Sequence, residues 1–314
     1  MRFLVFGTGG VGGYFGAKLS TAGEDVRFVA RGKHLEAMRE KGLVVRSARE
    51  ELFVPPDKIA GEVSPDVNAD VILFCVKSYD TEGAARQLLP ALHKDTVVIS
   101  LQNGIDNEEK IQRIIPMGSV FGGVAYIYST ITAPGEITRN EGPAKIVFGP
   151  FGNQPDIRAK EILESFLKSG VDANLSLSIE SDLWKKFVFI TAVSGITALT
   201  RLTLGELLAN PETCGLIRDA MQEANAIAEA KGIVLEPTLI DSFFETLSKF
   251  RNDTRSSLYY DLANKKPMEV EALAGTVVKL GVQLGIATSI QKTIYASLLP
   301  YHQKHVRELG AKQS

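Results

Sequence analysis

The stretch that decides the fold is Arg2–Gly16, which reads RFLVFGTGGVGGYFG. The apolar residues Phe3–Phe6 predict a buried strand, and the glycines after them predict a tight turn into a helix. In this G-x-G-x-x-G arrangement, Gly7 permits the turn, Gly9 lets a pyrophosphate approach the backbone, and Gly12 lets the helix pack closely on the strand. The N–H groups at the start of the helix would face the anion. We therefore expect a dinucleotide-binding turn formed by Gly7, Thr8, Gly9, Gly10, Val11 and Gly12.

The end of the next apolar run indicates which dinucleotide binds. Val26–Ala30 predicts a second strand, and Arg31 follows it directly. An NAD site normally carries Asp or Glu about 20 residues beyond the glycines, to accept a hydrogen bond from the ribose 2′-hydroxyl. A carboxylate there would repel a 2′-phosphate, whereas a guanidinium binds it through two parallel charge-assisted hydrogen bonds. Arg31 therefore predicts NADP(H). A solvated basic turn without cofactor contact is the alternative.

Composition restricts the function to small-molecule chemistry. The chain has 314 residues, 45% of them hydrophobic and 23% charged, which is typical of a globular protein long enough for two domains. The formal net charge is −2 and the basic residues are dispersed, so neither nucleic acid nor an anionic membrane is an expected partner. Two cysteines and four scattered histidines predict no disulfide framework and no metal site.

No targeting or membrane segment is expected. The apolar run after Arg2 is too short for a secretory signal. The longest apolar region, Phe187–Leu199, contains Thr191 and Gly195 and is too short to span a bilayer. We therefore expect a cytoplasmic protein. The sequence is compatible with a homodimer but does not decide the oligomeric state.

Strand and helix patterns alternate through the first half, which predicts a parallel sheet built from βαβ units. The predicted strands are Phe3–Phe6, Val26–Ala30, Val71–Val76 and Val97–Leu101, a small pair at Leu43–Arg46 and Leu52–Val54, antiparallel strands at Val120–Tyr128, Gly135–Thr138 and Lys145–Phe148, and a last strand at Asp172–Leu175. Helices are expected at Thr81–Leu92 and Asp156–Lys168. From about Ile179 the pattern becomes helical, and it predicts helices at Ser181–Thr200, Leu204–Asn210, Pro211–Lys231, Pro237–Phe250, Ser256–Lys265 and Val270–Leu284, and a last one from Ser289 onward. We therefore expect a sheet domain over residues 1–178 and a helical domain over residues 179–314.

Two polar residues follow predicted strands of this sheet. Lys77 comes directly after Val71–Val76, and Asn103 lies just beyond Val97–Leu101. Ligands of open parallel sheets bind beyond the carboxyl ends of the strands, so both side chains are expected at the cofactor edge. For Asn103 an ordinary Asn-Gly turn is an equally good interpretation.

A lysine on the first long helix has the properties that carbonyl reduction requires. A hydride must reach the carbon, while a proton or a strong positive donor must meet the oxygen where negative charge develops. Lys186 lies in the segment Asp182–Phe187, and four-residue spacing places Ile190 and Ser194 on the same helix face. By pattern alone, a solvated lysine is the simpler interpretation.

Together these residues resemble the ketopantoate reductase family over essentially the whole chain. The segments that carry the resemblance are Gly7-Thr8-Gly9-Gly10-Val11-Gly12, Val76-Lys77, Gln102-Asn103-Gly104, Trp184-Lys185-Lys186, and Ser256-Ser257-Leu258-Tyr259-Tyr260-Asp261 followed by Glu269. The resemblance implies an α/β fold in which an N-terminal Rossmann-type, doubly wound sheet precedes an all-helical C-terminal domain, as in 6-phosphogluconate dehydrogenase.

The resemblance also implies a reaction, the reduction of 2-dehydropantoate to pantoate by NADPH, within pantothenate and coenzyme A biosynthesis. It assigns Lys186 as the general acid that protonates the ketone oxygen. It assigns Glu269 to holding the substrate and supporting the charge of the lysine. Asn103, Lys77 and Ser257 would position substrate and nicotinamide.

The first long helix departs from the family pattern. Family members often carry asparagines where this chain has Ile190 and Ser194, and a proline where it has Gly195. Ser194 or Thr191 is expected to replace the missing amides, or else the pocket prefers a different 2-oxo acid. Two alternatives thus stay open: a dehydrogenase of the same two-domain plan with another substrate, and a non-catalytic NADP(H) sensor.

Overall fold

The structure, a computed structural model, describes residues 1–152 and 156–310. Its contacts divide the chain into two compact units. The sheet unit comprises Met1–Gln102 and Asp106–Asp182. The helical unit comprises Asn103–Ile105 and the chain from Leu183 onward.

The sheet unit is built on one mixed sheet. Its strands in the described residues are β1 (Arg2–Phe6), β2 (Asp25–Val29), β3 (Leu43–Arg46), β4 (Glu51–Val54), β5 (Ile59–Ala60), β6 (Val71–Phe74), β7 (Val97–Ser100), β8 (Ser119–Ala133), β9 (Glu136–Pro150) and β10 (Asp172–Leu175). They run in the order β4-β3-β9-β8-β7-β6-β1-β2-β5, and β10 pairs with β9. Taken from the β5 end of this spatial order, β5, β2, β1, β6, β7 and β8 form consecutive parallel pairs. The strands β8 and β9 are antiparallel. The predicted parallel sheet is therefore confirmed.

Both faces of this sheet are buried along β1. Along β1, Phe3 and Val5 join one apolar cluster, while Leu4 and Phe6 join a second cluster. Such a continuous apolar strand is typical of parallel sheets that are covered on both faces. The helices of the unit are α1 (Gly10–Thr21), α2 (Gly32–Lys41), α3 (Thr81–Gln87), α4 (Asn107–Gln112) and α5 (Ile157–Lys168).

The prediction of three antiparallel strands after residue 119 was wrong in one respect. Residues 136–138 of the predicted strand Gly135–Thr138 and all of Lys145–Phe148 belong to a single strand, β9, while Gly135 lies in the turn before it. Ile127 pairs with Ala144 and Ser129 with Arg139, so residues 140–143 bulge from the ladder opposite one residue of β8. The Gly-Pro pair inside that bulge imitates a turn in the sequence, but pairing with β8 resumes on both sides of it.

The helical unit contains the helices that the sequence pattern predicts. They are α6 (Ile179–Thr200), whose first turn lies in the sheet unit, α7 (Leu204–Ala209), α8 (Pro211–Ala230), α9 (Leu239–Leu247), α10 (Ser257–Ala263), α11 (Thr276–Leu284) and α12 (Ser289–Gly310). Trp184 and Phe187 pack edge to face in its core, with ring centroids 5.4 Å apart. The predicted helix Val270–Leu284 begins instead with a π-helical turn, Glu271–Gly275.

The helix α6 is longer than its apolar stretch suggested. It has 22 residues, and it is the one described helix that is long and apolar enough to cross a membrane. More than half of its most apolar window, 56%, is buried inside the fold. A core helix of a soluble protein meets the same criterion, and α6 supplies Phe187, Val188 and Ile196 to the helical core.

Candidate active site

The glycine turn after β1 leaves no room for side chains at Gly7, Gly10 and Gly12, and at Gly10 a Cβ would collide with the carbonyl group of Ser129. Gly7 has φ +98°, and a Cβ there would lie 2.7 Å from the backbone nitrogen of Val76. A Cβ on Gly12 would lie 2.5 Å from the carbonyl oxygen of Gly7 and 2.9 Å from Val5 Cγ1. Because carbon atoms do not approach this closely, helix α1 can reach β1 only with glycine at these positions.

The same turn has an open side that fits a pyrophosphate. A Cβ on Gly9 would meet no atom within 4 Å. The first helical residues Gly10, Val11 and Gly12 carry N–H groups that have no acceptor within the helix. Backbone donors at a helix N-terminus attract anions, so the residues present fit a dinucleotide phosphate. The cofactor contacts of these residues stay predictions.

Thr8 anchors the turn to the neighbouring strand. Its backbone N–H and its hydroxyl both donate to the carbonyl oxygen of Val29, at 3.0 and 2.9 Å. The side chain is buried. Thr8 therefore fixes the position of the turn through β2, and any direct cofactor contact by it also stays a prediction.

Arg31 is paired with a carboxylate that the sequence analysis did not single out. Its Nη2 atom lies 2.6 Å from Oδ2 of Asp80, and the Arg31 side chain is 74% exposed. Arg31 follows β2, and Asp80 ends the short turn that follows β6. The sequence did contain a signal, because Asp80 lies only three residues beyond Lys77 in the same loop.

A buried polar cluster joins the ends of β6 and β7. The side-chain amide of Gln102 donates to the carbonyl oxygen of Val76 at 3.1 Å and to the hydroxyl of Thr81 at 2.8 Å. Lys77 follows Val76 in the sequence and is half-buried just beyond the end of β6. Asn103 follows Gln102. Gln102 thereby holds the backbone segments that carry both predicted polar groups. This role of Gln102 is not visible in the sequence, because Val76 and Thr81 become its partners only in the folded sheet.

Lys186 is not a solvated surface lysine. It is half-buried on α6, and burial lowers the pKa of its ammonium group to about 8, although the nearby charge of Glu269 opposes this decrease. The preceding residue shows the contrast, because Lys185 forms an ion pair with the exposed Glu236 at 2.7 Å. A lysine with a pKa near 8 is protonated at neutral pH and gives up its proton more readily than an ordinary lysine.

Three of the predicted site residues meet within the helical unit. Glu269 is buried, with 6% of its surface exposed. The side-chain amide of Asn103 donates to Glu269 Oε2 at 3.4 Å, and Glu269 interacts electrostatically with Lys186. We expected Asn103 at the edge of the sheet, yet its contacts assign it to the helical unit. The arrangement combines a proton donor, a carboxylate that supports its charge and an amide.

The segment that carries Glu269 is held by the last helix. The backbone N–H of Met268 donates to Nδ1 of His302 at 3.0 Å, and Nδ1 of His305 lies 3.0 Å from the carbonyl oxygen of Lys266. Burial lowers the pKa of His302, which favours the neutral ring that can accept this hydrogen bond. Two of the four histidines, His302 and His305, therefore fix the backbone beside Glu269.

The remaining predicted residues are placed as follows. Ser194 is buried on α6 with 9% exposure, whereas Ser257 is exposed as the first residue of α10. The neighbour of Ser257, Ser256, caps that helix by accepting from the N–H of Tyr259 at 3.1 Å. The Thr191 hydroxyl donates to Gln291 Oε1 at 3.2 Å inside the core, so its proton is not available to replace an amide donor. The substrate contacts of Ser194 and Ser257 stay predictions.

Two family models match this chain. Residues 3–153 match the model described as ketopantoate reductase PanE/ApbA, and residues 178–302 match the model of its C-terminal part. An uncharacterized oxidoreductase of Bacillus subtilis, YkpB, is 32% identical over 96% of this chain and 99% of its own length. The 2-dehydropantoate 2-reductase of Mesorhizobium japonicum is 30% identical over 90% of this chain and 91% of its own length.

Solved structures agree with these matches. A PanE/ApbA family ketopantoate reductase from Ralstonia eutropha has a TM-score of 0.88 and 28% identity, covering 97% of this chain and 99% of that one. A D-mandelate dehydrogenase, solved with NADH and anilino(oxo)acetate, has a TM-score of 0.89 with the same coverage, but at 21% identity it shows the fold alone. Because the two family models account for most of its length, the chain belongs to the PanE/ApbA ketopantoate reductase family of oxidoreductases.

Proposed function

We propose that this protein is an NADPH-dependent 2-dehydropantoate 2-reductase, which reduces the ketone of 2-dehydropantoate to the hydroxyl group of pantoate. The observation that carries the proposal is the grouping of Lys186, Glu269 and Asn103 in the helical unit. A non-catalytic sensor has no need for a partly buried ammonium group beside a carboxylate. The family assignment and the reductase relatives support the same substrate.

In this proposal the chain supplies the proton and the cofactor supplies the hydride. When bound, NADPH provides the hydride that forms the new C–H bond at the 2-oxo carbon. Lys186 donates its proton to the ketone oxygen as the C=O double bond becomes a single bond. The neutral amine then regains a proton from solvent. Glu269 stabilises the ammonium form before the transfer, and Asn103 holds one oxygen of Glu269 in place.

The other proposed roles follow the two units. Residues 1–178 bind NADP through the glycine turn, Arg31 and Lys77, and residues 179–314 carry the catalytic and substrate-binding groups, including Ser194 and Ser257. Residues 311–314 lie outside the described part of the chain. We further propose a cytoplasmic enzyme. A ketopantoate reductase from Staphylococcus aureus is described as dimeric, which supports a homodimer here.

A second candidate function is the reduction of a different 2-oxo acid. It is favoured by Ile190 and Ser194, because an amide lost from a substrate pocket removes a hydrogen bond worth about 0.5–1.5 kcal/mol. Thr191 does not compensate, since its hydroxyl contacts Gln291. The D-mandelate dehydrogenase neighbour shows that the same fold carries a different 2-hydroxy acid dehydrogenase.

A substrate panel separates these two candidates. Purified enzyme is assayed with 2-dehydropantoate and with pyruvate, 2-oxoisovalerate and benzoylformate, and the loss of NADPH absorbance is followed. We expect the highest kcat/KM for 2-dehydropantoate. A higher value for another acid in the panel would establish the second candidate and overturn the first.

Replacing the proposed acid tests the mechanism. Lys186→Met should lower kcat by about 10²- to 10⁴-fold, the usual contribution of general acid catalysis. NADPH binding and a cooperative thermal transition should be retained, although Tm should fall because the buried Glu269 loses the neighbouring positive charge. The matched control is Lys185→Met, which removes the neighbouring lysine and should keep near-native turnover. Near-native kcat in Lys186→Met would exclude Lys186 as the acid.

The pH profile tests the role of Glu269. Since Lys186 must be protonated to act, ketone reduction should fall as the pH rises through about 8, the pKa of the lysine. Glu269 raises that pKa, so Glu269→Gln should move the inflection of the profile to lower pH. Glu271→Gln makes the same change in charge two residues away, where the carboxylate accepts from the Tyr295 hydroxyl at 2.8 Å, and should leave the inflection in place. An unmoved inflection in Glu269→Gln contradicts the assignment.

Cofactor choice is tested at Arg31. Arg31→Ala should raise the KM for NADPH by about tenfold at low salt, because charge-assisted hydrogen bonds to the 2′-phosphate are lost. The KM for NADH should change little. If the ratio of the two constants stays the same, Arg31 does not bind the phosphate.

A further inference from the structure

The ion pair between Arg31 and Asp80 lies beside the glycine turn. In the sheet, β1 lies between β2 and β6, and the glycine turn follows β1. Arg31 follows β2 and Asp80 follows β6, so their 2.6 Å contact connects the segments on the two sides of that turn. A cofactor whose pyrophosphate binds at the turn places its adenosine ribose toward the end of β2.

The position of Asp80 is not explained by a structural role in the helix that follows it. Asp80 is the residue before α3, where an aspartate commonly caps the helix by accepting from backbone N–H groups. Its side chain makes no such capping hydrogen bond. The carboxylate is directed to Arg31 instead.

The two charges of this pair favour different cofactors. The guanidinium of Arg31 suits a 2′-phosphate, but Asp80 already occupies its Nη2 donor. A bound phosphate must displace this carboxylate or share the guanidinium with it, and in both cases it lies near a group of the same sign. Asp80 favours the binding of NADH, because the 2′-hydroxyl of NADH can donate a hydrogen bond to this carboxylate, as it does to the acidic residue of NAD sites.

We propose that Asp80 is a specificity-determining residue that opposes Arg31: it competes with the 2′-phosphate of NADPH for the guanidinium and accepts from the 2′-hydroxyl of NADH. The preference of the enzyme for NADPH over NADH is then set by the balance of these two side chains. The inference rests on the proposed NADP site and extends it to a residue outside the glycine turn.

The test compares cofactor dissociation constants, measured without substrate by the fluorescence of bound NADPH and NADH. In Asp80→Asn, NADPH should bind about two- to fivefold more tightly, the range expected for a partly exposed ion pair, and NADH should bind equally or less tightly. The gain for NADPH should shrink as salt is raised from 20 to 300 mM, because the competition is electrostatic. Asp80→Ser serves as a second variant in case Asp80→Asn folds poorly.

The matched control is Asp25→Asn. Asp25 is also a partly exposed aspartate in a pair, with Lys58 at 3.7 Å, but it lies at the start of β2, at the opposite end from Arg31. Asp25→Asn makes the same change in net charge as Asp80→Asn and should leave the ratio of the NADPH and NADH affinities unchanged. If Asp25→Asn raises the ratio as much as Asp80→Asn does, the effect is one of overall charge and the proposal is overturned.

Wild-type enzyme and Arg31→Ala separate this inference from the proposed function. If wild type prefers NADPH, Arg31→Ala loses that preference and Asp80→Asn fails to increase it, only the role of Asp80 is refuted. If wild type binds both cofactors equally and Arg31→Ala changes nothing, the NADP site itself is wrong and the role of Asp80 falls with it.

Discussion

Close contact between helix α1 and strand β1 is the constraint on which the sheet unit depends. The Cβ positions of Gly7 and Gly12 are filled by backbone and by Val5, so the strand, the turn and the helix can meet only when both residues lack side chains. That contact brings the start of α1 between the ends of β2 and β6, the strands on either side of β1. It leaves the N–H groups of the first helical turn without acceptors inside the helix, which is the arrangement that binds an anion. Thr8 fixes the turn laterally by binding the end of β2.

The helical unit is organised around a different constraint, the cost of keeping a charge away from water. Lys186 is half-buried, and its lowered pKa records that cost. Glu269 reduces it by supplying the opposite charge, and the hydrogen bond from Met268 to His302 fixes the backbone next to Glu269. Perturbed groups of this kind concentrate at functional sites, because a lysine that is easily deprotonated is a better acid near neutral pH. A π-helical turn, which is frequent at functional sites, begins two residues after Glu269.

Polar contacts between strand ends connect the fold with its chemistry. Gln102 ties the end of β7 to Val76 and Thr81, while Arg31 and Asp80 tie the end of β2 to the loop after β6. None of these contacts joins residues that are neighbours in the sequence. They form because parallel strands bring their carboxyl ends to one edge of the sheet, where loops of distant sequence positions meet. The same principle drew attention to Lys77 and Asn103 but could not say which side chains would hold their backbone segments.

The sequence by itself determined the strand, turn and helix of the glycine segment, the alternation that makes a parallel sheet, and the helical character of the second half. These are local properties of periodicity and glycine placement, which short windows of sequence record. The motif order was also enough to identify the family resemblance. Only the tertiary structure decided that residues 140–143 bulge within one long strand, that Thr191 is committed to Gln291, that Asp80 pairs with Arg31, and that Asn103 contacts Glu269. Each of these depends on the distance between residues far apart in the chain, and that distance is set by packing rather than by local pattern.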